Sequence, residues 1–183
     1  MELTAEVIKQ YHLDILKCAT LEEKQNMFLS QVRNNKDFAI LQHRKMWIWI
    51  AQQYAKGSKT EVGFLKRKYI IEHCHGADIM SNCFCCEYSS SQEYVFDMCA
   101  KCPIQWKYDD CCNDDSEYAT LQDYICDYTD MRYDISRYLA SDNFISKKYY
   151  KMLRKETKLK HKVVKLAYKI SQLQERKEQS NED

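Results

Sequence analysis

The cysteines carry the chemistry of this chain. Ten of its 183 residues are cysteine, and four fall into two matched pairs, Cys83-x-x-Cys86 and Cys99-x-x-Cys102, with twelve residues between the pairs. A Cys-x-x-Cys step lets one tight turn aim two sulfurs at one point. Two such turns facing each other make the tetrahedral thiolate shell that Zn²⁺ takes. The spacing predicts one zinc ion per chain, held by Cys83, Cys86, Cys99 and Cys102. Four thiolates fill the shell and leave no position for water, so the predicted role is structural, not Lewis-acid. The order also argues against a zinc deaminase. Pro103 follows the second pair instead of preceding it, and no His-x-Glu stands upstream. Redox cysteines or plainly buried ones are the competing reading. Cys85, beside Cys86, is read as spare or as an outer neighbour of the site.

Something must bring the pairs together. Glu87-Tyr88, then Ser89-Ser90-Ser91, then Tyr94-Val95-Phe96 read as strand, loop, strand, so a zinc-binding β-hairpin or knuckle is expected, with Pro103 opening a turn or short helix after it. The rest is expected to be mainly α. Three Gly and one Pro punctuate few turns in 183 residues, which favours long helices. Mean hydropathy is −0.67, and no apolar run approaches the roughly 18 residues of a membrane span. The opening MELTAEVIKQ lacks the form of a signal peptide. A cytoplasmic location without membrane contact is therefore expected, where thiols stay reduced and serve metals more often than disulfides.

In chain order, residues 4–18 predict a first helix capped by Thr4, with Ile8, Tyr11, Ile15 and Cys18 on one face. Thr20-x-x-Glu23 is a capping box that opens a second helix to about Val32. Arg33-Asn34-Asn35 breaks it. Asp37 is read as the cap of a third helix from Phe38 to about Lys56, with Ile40, Trp47, Ala51 and Tyr54 inward and Leu41 and Ile48 widening that stripe. One of Trp47 and Trp49 belongs to the core, and the other to the zinc hairpin or an interface. Thr60 to Glu72 reads as a basic helix whose Lys66, Arg67 and Lys68 form a solvated face. Ser116 and Thr120 are candidate caps for a helix through Cys126. Asp142 or Ser146 starts the last helix, through about Glu178. Ile145, Tyr149, Met152, Glu156, Leu159, Val163, Leu166, Ile170 and Leu173 make a heptad seam with one polar interruption. Its first half is expected to pack within the chain. Its end is open to pairing with a second copy as a coiled coil. Three segments are expected: a helical domain over 1–142 holding the zinc module (83–106) and an acidic segment (109–134), a long basic helix over 143–178, and a disordered tail over 179–183.

Other residues with chemical potential rank lower. His43, one turn before Trp47, is read as a core or surface histidine, because no nucleophile or acid stands at a helical spacing from it. His73, Cys74 and His75 are alternative zinc ligands that a closed four-thiolate site does not need. Cys74, His75, Cys111 and Cys112 are the candidates for a second metal site. The aspartates around Asp110 and Asp114 lack the frame of a calcium loop. Charge is segregated. Asp109 to Asp134 holds nine acids against Arg132, and Lys147 to Lys177 holds twelve Lys or Arg against Glu156 and Glu175, in a chain of net charge +1.

Two stretches together resemble a known group. Asn82-Cys83-Phe84-x-Cys86-Glu87-Tyr88 followed by Cys99-x-x-Cys102-Pro103-Ile104-x-Trp106, with His43-Arg44-x-Met46-Trp47-x-Trp49-Ile50-Ala51 upstream, resembles small, mostly uncharacterised proteins of bacteriophages and prophages. The likeness spans roughly residues 38 to 106 and leaves out the basic last helix. It implies that the four cysteines bind zinc and that the chain is phage- or prophage-encoded, and it implies no catalytic activity. The leading functional expectation is a non-catalytic accessory protein that binds a host protein, as an inhibitor of a defence system does. The alternative is nucleic-acid binding through Lys151, Arg154, Lys155, Lys158, Lys162, Lys165 and Lys169, with Tyr149, Tyr150 and Tyr168 as stacking residues. A nuclease with paired Cys-x-x-Cys elements is disfavoured, because residues 87–98 contain no histidine to serve as general base.

Overall fold

The structure is a computed structural model that describes residues 5–92, 99, 101–107, 110–111, 113–141 and 146–176, excluding the side chains of residues 5–7, 12 and 81. Among them stand seven α-helices: α1 Ala5–Lys17, α2 Leu21–Asn34, α3 Lys36–Ala55, α4 Val62–His73, α5 Phe84–Ser91, α6 Glu117–Ala140 and α7 Lys147–Ser171. One 3-10 turn, Met80–Asn82, precedes α5. The mainly helical class is as expected. No strand is present among the described residues, only an isolated antiparallel bridge between Ile104 and Glu175.

α3 is the axis of the fold. It packs against α2, α4, α5 and α7. Its sequence is apolar nearly all round, which is the pattern of a helix enclosed by others. Phe38, Ile40, Met46, Trp47, Ile50, Ala51 and Tyr54 are buried, while Ile48 is exposed instead of widening the stripe. Asn35 links α2 to α3. It ends α2, and its side-chain oxygen accepts the Phe38 amide at 3.0 Å. The cap is therefore Asn35 and not Asp37, and the helix starts two residues earlier than expected. The capping box of α2 is present as expected. The Thr20 hydroxyl accepts from the Glu23 amide at 3.1 Å, and the Glu23 carboxylate accepts the Thr20 amide at 3.0 Å. Thr4, the expected cap of α1, lies outside the described residues.

Trp47 is the core tryptophan, at 1% exposure. Trp49 packs edge-on against Tyr69 of α4, with ring centroids 5.7 Å apart. Lys66 departs from the expected solvated face. It is buried, and its ammonium sits 4.2 Å from the centre of the Tyr118 ring and 5.2 Å from that of Trp47. Two aromatic faces replace part of its lost hydration. Arg67 and Lys68 are exposed as expected.

α6 runs on to Ala140, nearly four turns beyond the expected Cys126, with Ser116 as its cap. α7 lies along both α6 and α3. Leu159, Val163, Ala167 and Ile170 are buried, and Tyr149, Met152, Leu166 and Leu173 are half-buried. The deeper part of the seam is thus its second half, and it packs within the chain. Glu156, the polar interruption, accepts from Arg132 of α6 at 3.1 Å. Ile145 and Asp142 lie outside the described residues. The chain does not project after Ser171. It turns back, so that the Gln105 amide donates to Gln174 at 2.8 Å, and the Arg176 amide donates to Pro103 at 2.9 Å. The end of α7 therefore clamps the segment that follows Cys102.

A second tie holds that segment. Glu117, at the start of α6, accepts from the Lys169 ammonium at 3.2 Å and from the Lys107 amide at 3.3 Å. Burial works to raise its pKa, but its own backbone N–H, Lys169 and the Lys107 amide outweigh this and hold it below the ordinary 4.5. A lowered carboxyl stabilises the fold above the unfolded value and ceases to do so as pH falls through the folded one. Glu117→Gln is therefore expected to destabilise the protein at neutral pH, with the gap from wild type closing as pH drops below about 4.5. Denaturant titrations at several pH values check this. A gap independent of pH contradicts it.

Candidate metal centre

The first Cys-x-x-Cys pair is built on a helix start, not on a hairpin strand. Asn82 adopts a left-handed backbone with φ of 50°, a conformation asparagine tolerates better than most residues. The chain then enters α5 with Cys83 as N-cap and Cys86 three positions on. N-cap and third-position side chains point at one another, the relation that a capping box exploits. In agreement, the Cys83 thiol interacts with those of Cys86 and Cys85. The expected strand at Glu87–Tyr88 is overturned, because these residues lie in α5. The second expected strand, Tyr94 to Phe96, lies outside the described residues.

Glu87 explains why the helix wins. It is buried and accepts from Arg33 of α2 at 2.6 Å and from the Met80 amide at 2.7 Å. Ser89 and Ser90 donate to Cys85 and Glu87 carbonyls at 2.8 and 2.9 Å. A serine run that reads as loop thus spends its hydroxyls on its own helix. A cleft of about 480 Å³ beside α5 is lined by Arg33, Asp78, Met80, Glu87, Ser90 and Ser91, and its central acid is already committed to Arg33.

The second pair forms the turn that was expected. The Cys102 amide donates to the Cys99 carbonyl at 3.1 Å, and Arg176 donates to the same carbonyl at 3.0 Å. Cys102 is buried, and its thiol contacts that of Cys85. Trp106 lies at the same sulfur, which gives the Cys-Pro-x-x-Trp spacing a purpose. Its indole N–H is buried with no hydrogen-bond partner among the described residues and adds a small pull toward the deprotonated form of Cys102. Cys99 itself is half-buried.

The contacts extend beyond the four predicted ligands. Cys86 meets Cys111, from the acidic stretch after Trp106. Cys83 also meets His43 of α3. Thiols from the start of α5, from Cys102 and from Cys111 are thus neighbours beside α3. Their proton affinities split. The neighbouring Cys85 thiol, then Cys86, hold Cys83 well below the ordinary thiol value against the effect of burial, with His43 adding to this. Cys85 likewise lowers Cys102. Burial, then the Cys102 and Cys83 sulfurs, push Cys85 up, and Cys111, then Cys83, push Cys86 up. Cys83 and Cys102 are thus the thiols of the set drawn toward the deprotonated form, the form that binds metal. The start of α5 adds a positive helix end at Cys83.

The arrangement is a chain of pairwise contacts. Among the described residues, no three His, Cys, Asp or Glu side chains already form one metal-holding group. The donor set nevertheless fits zinc in kind: buried and half-buried thiols, and a buried imidazole with no hydrogen-bond partner for either ring nitrogen among the described residues. Cys74 is not part of it. It caps α4 and lies against Tyr11 and Tyr69, and burial pushes its thiol up to about 12. The candidate second site is therefore not assembled among the described residues, since Cys74 and Cys111 have different neighbours. Cys112 lies outside them.

The predicted cation stripe is displayed. Lys151, Arg154, Lys155, Lys158, Lys162, Lys165 and Lys169 are all exposed on α7. Lys169 pairs with Glu117, and Lys162 lies over the Tyr124 ring at 4.7 Å. Asp123, Asp127, Asp130 and Asp134 form an exposed acidic stripe on α6. No helix among the described residues is long and apolar enough to cross a membrane. No family model, curated protein or solved structure matches this chain.

His43 is a core histidine, one of the two readings the sequence offered; what the sequence did not announce is that it neighbours Cys83 and that Cys111 neighbours Cys86. Their partners lie forty and twenty-five positions away, at Cys83 and Cys86. The one local signal was the surplus of cysteines over the four that a single zinc needs.

Proposed function

We propose that this chain is a non-catalytic, phage-type accessory protein, closed by one structural zinc ion, that binds a host protein and thereby inhibits a host defence system in the bacterial cytoplasm. The observation that carries the reading is the burial of the thiol centre at the junction of α3, α5 and the clamped 99–107 segment. Cys83 and Cys102 are each 7% exposed and His43 1%. Cys86 and Cys99 are half-buried at its rim, but four protein ligands leave a zinc ion no open position for substrate, so such a centre serves to hold segments together. Zinc there is folding free energy. Binding then falls to the outer helices. The aspartates of α6 carry no ion pair among the described residues, so their stripe is free to meet a basic groove of a partner, where complementary charge sets encounter rate and specificity. The resemblance to phage proteins supplies the host context.

The test is capture of the tagged chain from its bacterial host, with nuclease present. Retention of one host protein in a stoichiometric complex is the expected result. Its weakening when Asp123, Asp127, Asp130 and Asp134 are changed to Asn ties the complex to α6. Loss of every partner under nuclease contradicts the reading.

A second reading has its own support. Lys151, Arg154, Lys155, Lys158 and Lys165 are exposed without an acidic partner among the described residues. From Lys151 to Lys165 they span about 21 Å at the rise of an α-helix. A cation row of that length suits a phosphate backbone. Affinity for duplex or single-stranded DNA that falls steeply with salt is its signature, and salt-independent or absent binding removes it.

A further inference from the structure

His43 is the residue whose surroundings the fold leaves unexplained. It sits mid-helix in α3 at 1% exposure, and neither Nδ1 nor Nε2 has an aligned hydrogen-bond partner. A buried polar nitrogen left so is destabilising. A histidine serving as plain core would have at least one nitrogen satisfied. Its ring stands between two tryptophans, with centroids 6.2 Å from Trp47 and 6.1 Å from Trp106. The two indoles enclose the ring on both sides. The polar group it meets is the Cys83 thiol, the hub of the sulfur contacts.

A cysteine beside a histidine also fits nucleophilic catalysis. Burial removes that use here, since neither Cys83 nor His43 presents an accessible atom for a substrate.

We propose that His43 is a metal ligand: one of its ring nitrogens and the Cys83 sulfur bind the same zinc ion, so that the shell holds three sulfurs and one nitrogen. The inference rests on the zinc reading above and changes its ligand set. Zinc takes Cys₃His shells as readily as Cys₄. A ligand on α3 also joins the centre to the axis of the fold, which four cysteines from 83–102 alone do not do.

X-ray absorption at the zinc edge of the full-length protein tests it without any variant. The expected first shell is three sulfurs near about 2.3 Å and one nitrogen near about 2.0–2.1 Å. A four-sulfur shell overturns the assignment of His43 and leaves the zinc reading standing. A protein that neither contains zinc nor takes up one added equivalent overturns both. His43→Ala, measured by zinc competition with a chelator, is expected to lose more affinity than the roughly 10–100-fold that removing an outer-sphere partner costs. Its spectrum is expected to lose the histidine nitrogen. A nitrogen that persists in the variant overturns His43 as its source.

Discussion

Cys83→Ser is expected to purify without zinc and to melt far below the wild-type protein, with the region around α5 no longer unfolding cooperatively. The substitution isolates the metal. Serine is among the best N-cap residues, so α5 keeps or improves its cap when Cys83 is replaced. What is lost is the sulfur that meets Cys85, Cys86 and His43. Apparent binding free energies of structural zinc in small modules are about 10–16 kcal/mol, as large as the roughly 5–15 kcal/mol of a whole domain's stability. Loss of the ion should therefore dominate every local gain. Differential scanning calorimetry with and without chelator reads the effect. Chelator should bring the wild type down toward the variant and leave the variant unchanged. A variant that melts like wild type sinks the expectation.

The second large effect is expected for Ile170→Lys. Ile170 is fully buried where α7 lies along α3 and α6. An unpaired ammonium there loses its hydration, and the burial of the isoleucine is lost with it. Breaking a core in this way costs several kcal/mol, a large share of the total. Position 170 also lies one turn before the residues that clamp Pro103 and Gln105. The variant is expected to lose both cooperative unfolding and tight zinc retention, which circular dichroism and metal analysis together record. A helix that paired only with a second copy would respond differently. The variant would become monomeric yet remain folded and zinc-loaded, and sedimentation would show it.

Much of the helical frame was legible because its signals are local. The Thr20–Glu23 capping box, the apolar circumference of α3 and the seam of α7 each involve residues within one element. What failed depended on distant partners. Cys83 to Ser91 mixes aromatic, cysteine and serine residues, a composition that reads as strand and loop. It is a helix because Glu87 finds Arg33 and Met80. Lys66 reads as solvated until Trp47 and Tyr118 arrive from other helices. The paired cysteines raised a zinc expectation by spacing alone. The placement of His43 beside Cys83 was not legible, because the two lie forty positions apart and no helical spacing announces it.

Native mass spectrometry of the protein as purified, with elemental analysis of the same sample, most directly tests the central claim that a structural zinc closes this fold. One zinc ion per folded chain, removed only with loss of the native charge-state distribution, is the expected result. A folded, metal-free chain that takes up no zinc when supplied with it would contradict the claim and leave the gathered thiols as ordinary core.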